Sequence, residues 1–183
     1  ISLYSPKGST VSPNFTLKFT GSGSLKVTSG YDAIYSSGNM EFAQTGTVTA
    51  TATGATSSGV ETAAKLTIGG NLNATAESSY AIYASGDISM TKGTVNATGN
   101  CTYSAGGIRS NGAITISGGT VSATGGNPAV GIGSGEGGSC GDITIDGKSW
   151  HHVGSTLVFA QRGVDMITDF QVPAAMEGNS SST

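Results

Sequence analysis

Residues 112–147 read GAITISGGTVSATGGNPAVGIGSGEGGSCGDITIDG, and the order of apolar and glycine residues in this stretch decides the fold. Ile114-Thr-Ile116 opens it, the Gly118-Gly119 pair interrupts it, and Val121-Ser-Ala123-Thr resumes it. A third short apolar run, Val130-Gly-Ile132, leads through a glycine-rich loop into Ile143-Thr-Ile145, which is the first run again. One turn of a winding chain has been completed.

Working outward, the first run recurs at Leu66, Ile88, Ile114 and Ile143, in steps of 22, 26 and 29 residues. The second recurs at Val48, Leu72, Val95 and Val121, in steps of 24, 23 and 26, and the third at Ile34, Val60, Ile82, Ile108 and Ile132, in steps of 26, 22, 26 and 24. Three interleaved series with one shared period mark a repeat architecture, and runs this short and β-like make the repeat a coil of three strands. The expected fold is therefore all-β: a right-handed parallel β-helix of about five to six coils with capped ends.

Composition narrows the function classes. The chain has 183 residues, 30 of them glycine, which suits a fold with several turns in every coil. Only 10% of residues are charged and the net charge is −3, which leaves no basic patch for nucleic acid. No apolar run approaches the roughly 18 residues that a membrane-spanning helix needs. The sequence begins at Ile1, as it would after removal of a signal peptide or at any internal boundary.

Three regions follow. Residues 1–20 do not show the repeat; Phe15, Leu17 and Phe19 alternate as a half-buried strand does, and the segment reads as an N-terminal cap or a surface for assembly with a neighbouring copy. Residues 21–147 are the coils. Residues 148–183 leave the pattern, with Trp150, Leu157, Val158 and Phe159 as bulk for a second cap and Glu177–Thr183 as a loose tail.

Alternation within the strands assigns sides. In the second series the outward triplets are Thr47/Thr49/Thr51, Asn71/Asn73/Thr75, Thr94/Asn96/Thr98 and Thr120/Ser122/Thr124, while Ala50, Ala74, Ala97 and Ala123 stack inside. In the third, Ser36, Thr62, Ala84, Ser110 and Ser134 share an inward position, where hydroxyls can hydrogen-bond along their own column.

The coil ITISGGTVSATGG followed by GIGSGEGGSCGDITIDG resembles the right-handed parallel β-helix repeats of secreted and surface-anchored bacterial proteins, particularly carbohydrate-binding β-helix domains. The resemblance covers residues 21–147. It implies a secreted or cell-surface location, and it extends to adhesins, polysaccharide binders and lyases, so the ligand has to be argued from side chains.

An enzyme of this fold would be expected to gather carboxylates on one face. Asp87 and Asp142 share an outward position, but Ala113 lies between them, which sets them two coils or about 10 Å apart with no third acid in support. His151-His152 point to opposite faces if they lie in a strand, and Gly131–Gly138 lacks the Lys-Ser/Thr of a phosphate loop. No catalytic set, cofactor or metal site is expected. Cys101 and Cys140 fall at different corners of their coils, which favours free thiols over a disulfide and leaves both open. Asn14, Asn73, Asn96, Asn100 and Asn179 stand in glycosylation sequons, and Asn73 and Asn96, on adjacent coils, read better as a side-chain amide ladder.

One outward column is unlike the others: Tyr35, Glu61, Tyr83 and Arg109 follow the inward aliphatic of the third series on four successive coils, with Tyr31 and Tyr80 just before two of those strands. Tyrosines about 10 Å apart with charged neighbours suit stacking on sugar rings and hydrogen bonds to hydroxyls. The plainer reading is that tyrosine favours strands and that Glu61 pairs with Arg109 or packs on a ring. The expected function is a non-enzymatic extracellular module that binds or presents polysaccharide. One alternative is a fibre or adhesin-stalk subunit joined end to end with its copies. Another rests on the threonine rows of the second series, which resemble the arrays of β-solenoid ice-binding proteins, though Asn and Ser interrupt them.

Overall fold

A computed structural model describes residues 2–3, 15–100, 106–126, 131–133, 141–145 and 148–150. Among them there is no helix, and so none long and apolar enough to cross a membrane. The strands form three sheets, one for each series, and a strand from each makes one coil of a parallel β-helix of about five turns. The first sheet stacks Thr16–Phe19, Asn39–Phe42, Leu66–Ile68, Ile88–Met90, Ile114–Ile116 and Ile143–Ile145. The second stacks Leu25–Ser29, Thr47–Ala52, Asn71–Ala76, Thr94–Gly99 and Thr120–Thr124. The third stacks Ser2–Leu3, Ile34–Ser36, Val60–Thr62, Ile82–Ala84, Ile108–Ser110 and Ile132–Gly133.

The core follows from alternation. Leu66, Ile88, Ile114 and Ile143 are consecutive partners in the first sheet and all are buried. Ala50, Ala74, Ala97 and Ala123 form the expected inner column of the second, and Ile34, Val60, Ile82, Ile108 and Ile132 that of the third. Toward the N-terminal end the core gains an aromatic pair, with the rings of Phe19 and Phe42 stacked at 4.7 Å.

Short segments near both ends of the described chain pair with the stack. Thr16–Phe19 pairs in parallel with Asn39–Phe42, and Ser2–Leu3 with Ile34–Ser36, so parts of the segment read as a cap over 1–20 are themselves wound into the stack. Leu17, Phe19, Leu25 and Val27, on the first strands of the first and second sheets, pack against the core and are only partly buried among the described residues. At the other end Lys148–Trp150 runs antiparallel to Ile143–Ile145 and reverses strand direction at that edge.

The inward hydroxyls also behave differently from expectation. Ser36, Thr62 and Ser110 do share a column, but their hydrogen bonds go to corner backbone, not to one another. Thr62 Oγ1 donates to the Gly38 carbonyl one coil earlier (2.6 Å) and accepts from the Ala64 N–H (3.2 Å). Ser110 repeats the device, donating to the Gly86 carbonyl (2.7 Å) and accepting from the Gly112 N–H (3.0 Å). The reason is proximity: a strand three residues long places its last inward side chain at the turn, where backbone groups lack ladder partners. Ser110→Ala is accordingly expected to cost about 1 kcal/mol in a urea titration, the loss of two hydrogen bonds to part-buried corner backbone, although the change in volume is small.

Candidate functional site

The register of the third sheet places Tyr35, Glu61, Tyr83 and Arg109 on four successive rungs of one outward column. At about 4.8 Å per rung the two tyrosines lie about 10 Å apart. All four side chains are partly buried, so the rings of Tyr35 and Tyr83 are less open than their outward position suggests, whereas Tyr31 is 83% exposed.

Arg109 organises the C-terminal half of the column. Its guanidinium lies 4.7 Å from the ring centre of Tyr80 and 5.4 Å from that of Tyr83, and Nη1 donates to the Tyr80 hydroxyl. The two rings stand 5.6 Å apart and tilted by 38°. The Tyr83 hydroxyl accepts from Asn111 Nδ2 (2.9 Å) and from Ser85 Oγ (3.2 Å). A cation against the rings of two tyrosines contributes about 0.5–2 kcal/mol, and here it ties the two rings into one cluster. Arg109 Nε is buried without a hydrogen-bond partner among the described residues.

Glu61 does not pair with Arg109, because the Tyr83 rung separates them. It belongs instead to a second group: Ser58 Oγ donates to Glu61 Oε2 (2.9 Å), and the Ser58 N–H donates to Asp32 Oδ1 (2.7 Å). Burial pushes the Glu61 carboxyl above the usual range, the negative charge of Asp32 adds to the rise, and the Ser58 hydrogen bond opposes it. Glu61 thus keeps its proton to higher pH than an ordinary glutamate and can donate as well as accept a hydrogen bond in mildly acidic solution.

Sequence reading missed Asp32, Ser58 and Asn111. The signal was present: Asp32, Ser58 and Tyr80 all stand two residues before the inward aliphatic of the third series, and Ser85 and Asn111 stand three after it. Neighbouring columns at a strand's two ends converge on the central one, which a reading confined to the strand itself does not register.

The remaining candidates lie elsewhere. Asp87 forms an ion pair with Lys65 (3.0 Å) and accepts from the Ala113 N–H (3.1 Å), and both hold its carboxyl below the usual range. The Ala113 rung separates it from Asp142: the Ile88 N–H donates to the Ala113 carbonyl and the Ile114 N–H to that of Asp142. The amide ladder is present, with Asn96 Nδ2 donating to Asn73 Oδ1 at 2.8 Å. Asn100 is exposed at the end of its strand. Asn14, Asn179, Cys101, Cys140, Ser134 and His151-His152 lie outside the described residues, as does most of the C-terminal region read as a cap. Among the described residues no three of His, Cys, Asp and Glu gather as a metal site would require. No family model, curated protein or solved structure matches the chain.

Proposed function

We propose that the chain is a non-enzymatic extracellular module, of the kind found on bacterial surfaces, that binds or presents polysaccharide along the outer face of its third sheet. The observation that carries this reading is convergence. All four described tyrosines, the single described arginine and the Asp32–Glu61 acidic pair collect on or beside one face of a chain that is only 10% charged. Aromatic rings offer apolar platforms to the faces of sugar rings, and the tyrosine hydroxyls, Asn111, Ser85 and Glu61 supply donors and acceptors at the platform edges. Each contact is weak, so useful affinity comes from several rungs, or several copies, acting on one chain of sugars.

The test is retention on insoluble glycans. With about 1 kcal/mol per ring, Tyr35→Ala combined with Tyr83→Ala should weaken binding about thirtyfold, while far-ultraviolet circular dichroism stays unchanged because neither side chain enters the core. Unaltered retention by the double variant would overturn the proposal, and so would release of soluble sugars that Asp87→Asn abolishes. The fibre-subunit alternative is weaker on physical grounds: a following copy entering in parallel would meet the reversed strand Lys148–Trp150 at the edge of the first sheet.

A further inference from the structure

The outer face of the second sheet has a different chemistry, and its register is more regular than the sequence alone conveys. Thr28, Thr51, Thr75, Thr98 and Thr124 are consecutive partners, a threonine column unbroken over five coils. Beside it run Thr49, Asn73, Asn96 and Ser122, and beyond that Thr47, Asn71, Thr94 and Thr120. Lys26, at the N-terminal edge, is the one charged residue at these outward positions.

The asparagines that interrupt the array make it more rigid. Asn71 Nδ2 donates to the Thr45 carbonyl (3.1 Å) while its Oδ1 accepts from the Thr94 N–H (3.1 Å), and Asn96 and Asn73 are bonded to each other. Both side-chain polar atoms of Asn71, Asn73 Oδ1 and Asn96 Nδ2 are thereby held by neighbouring rungs. No hydrogen bond among the described residues engages the five hydroxyls of the threonine column, and each presents a methyl group beside a group that both donates and accepts. Behind the face, Ala50, Ala74, Ala97 and Ala123 give four of the five rungs the same small inner residue, and Val27 takes that place on the first. The outward positions form a grid of about 4.8 Å along the axis by about 6.8 Å along the strand.

A flexible partner gains nothing from such a grid, because single threonine contacts are weak. A solid whose own units repeat can engage all of them together, and its units must be uncharged and able to donate and accept everywhere. The face carries no aromatic platform for sugars and almost no charge for a mineral, membrane or nucleic acid. We propose that the threonine face binds ice, with Thr28, Thr51, Thr75, Thr98 and Thr124 as its one unbroken threonine row.

The experiment grows ice slowly from a solution of the full chain and measures partition into the solid, crystal faceting and thermal hysteresis. The wild-type protein should enter the ice and facet it. Thr75→Tyr, which places a bulky ring on the middle rung of the threonine column without touching the core, should reduce hysteresis at least tenfold, with circular dichroism unchanged; Thr51→Tyr and Thr98→Tyr should do the same. The Tyr35→Ala/Tyr83→Ala variant should retain full ice activity, so this proposal and the polysaccharide reading fail separately. Exclusion of folded wild-type protein from ice would overturn the proposal. So would binding to crystalline cellulose that Thr75→Tyr abolishes in the absence of hysteresis, which would assign the face to a solid polysaccharide.

Discussion

Ile114→Asp is expected to destabilise the protein by about 4 kcal/mol or more, enough to unfold a domain of ordinary stability or bring it close to unfolding. Ile114 has no exposed surface and lies between Ile88 and Ile143, each 2% exposed. Its surroundings on the rung are apolar, and no described arginine or lysine reaches the interior. A carboxylate there loses its hydration with nothing in return, and the burial of one aliphatic side chain, about 1.5–3 kcal/mol, is lost as well. Ile114→Val should cost only about 0.5–1.5 kcal/mol, because it leaves the column intact with one methyl group fewer. In a solenoid the damage is also local: coils touch only their neighbours, so a ruined rung divides the stack. Hydrogen exchange on the aspartate variant should show protection surviving in the coils N-terminal to the substitution and lost in those that follow.

Gly93→Val should have the next largest effect, about 3 kcal/mol or more in the same denaturant titration. The corner between the first and second sheets carries a glycine on five successive coils, at Gly23, Gly46, Gly70, Gly93 and Gly119. Gly93 has φ of +88°, and a Cβ there would stand 2.2 Å from the Gly70 carbonyl oxygen one coil earlier. Gly46 meets Gly23 in the same way at 2.2 Å, and Gly119 meets Gly93 at 2.5 Å. The obstacle is backbone, which cannot rotate aside. Gly21 separates the two contributions, because its φ is +93° but nothing lies within 4 Å of a Cβ built on it. Gly21→Ala should therefore cost only the conformational strain, about 1–2 kcal/mol. Equal losses at the two positions would show that strain alone governs this corner and that the close approach of successive coils does not.

The coil pattern was legible because it rests on what is repeated. Ile88, Ile114 and Ile143 announce themselves by spacing, and strand alternation then fixes every outward column, including Tyr35 to Arg109 and the asparagine ladder. The first rung was not legible. Thr16–Phe19 is a strand of the first sheet, yet its side chains are larger and less buried than those of the inner rungs, and only stacking on Asn39–Phe42 reveals its place. Turn chemistry was equally hidden: that Thr62 and Ser110 serve corner carbonyls depends on where a three-residue strand stops, which composition does not reveal. At the tyrosine face, position was readable but partnership was not. Glu61 and Arg109 share a column with opposite charges, and the choice of Ser58 for one and Tyr80 for the other is set by side-chain reach across neighbouring columns.

The parallel ladders have a mechanical consequence. Their hydrogen bonds run along the axis of the stack, whereas the chain within a coil runs across it, so a pull along the axis loads one coil interface at a time and peels the stack from an end. Each failure releases one period of chain, 22 to 29 residues, or about 70–100 Å of slack at about 3.3–3.6 Å per residue. A protein wound this way yields under tension in regular instalments, dissipating work with every coil it surrenders while the coils still wound keep both of their outer faces intact.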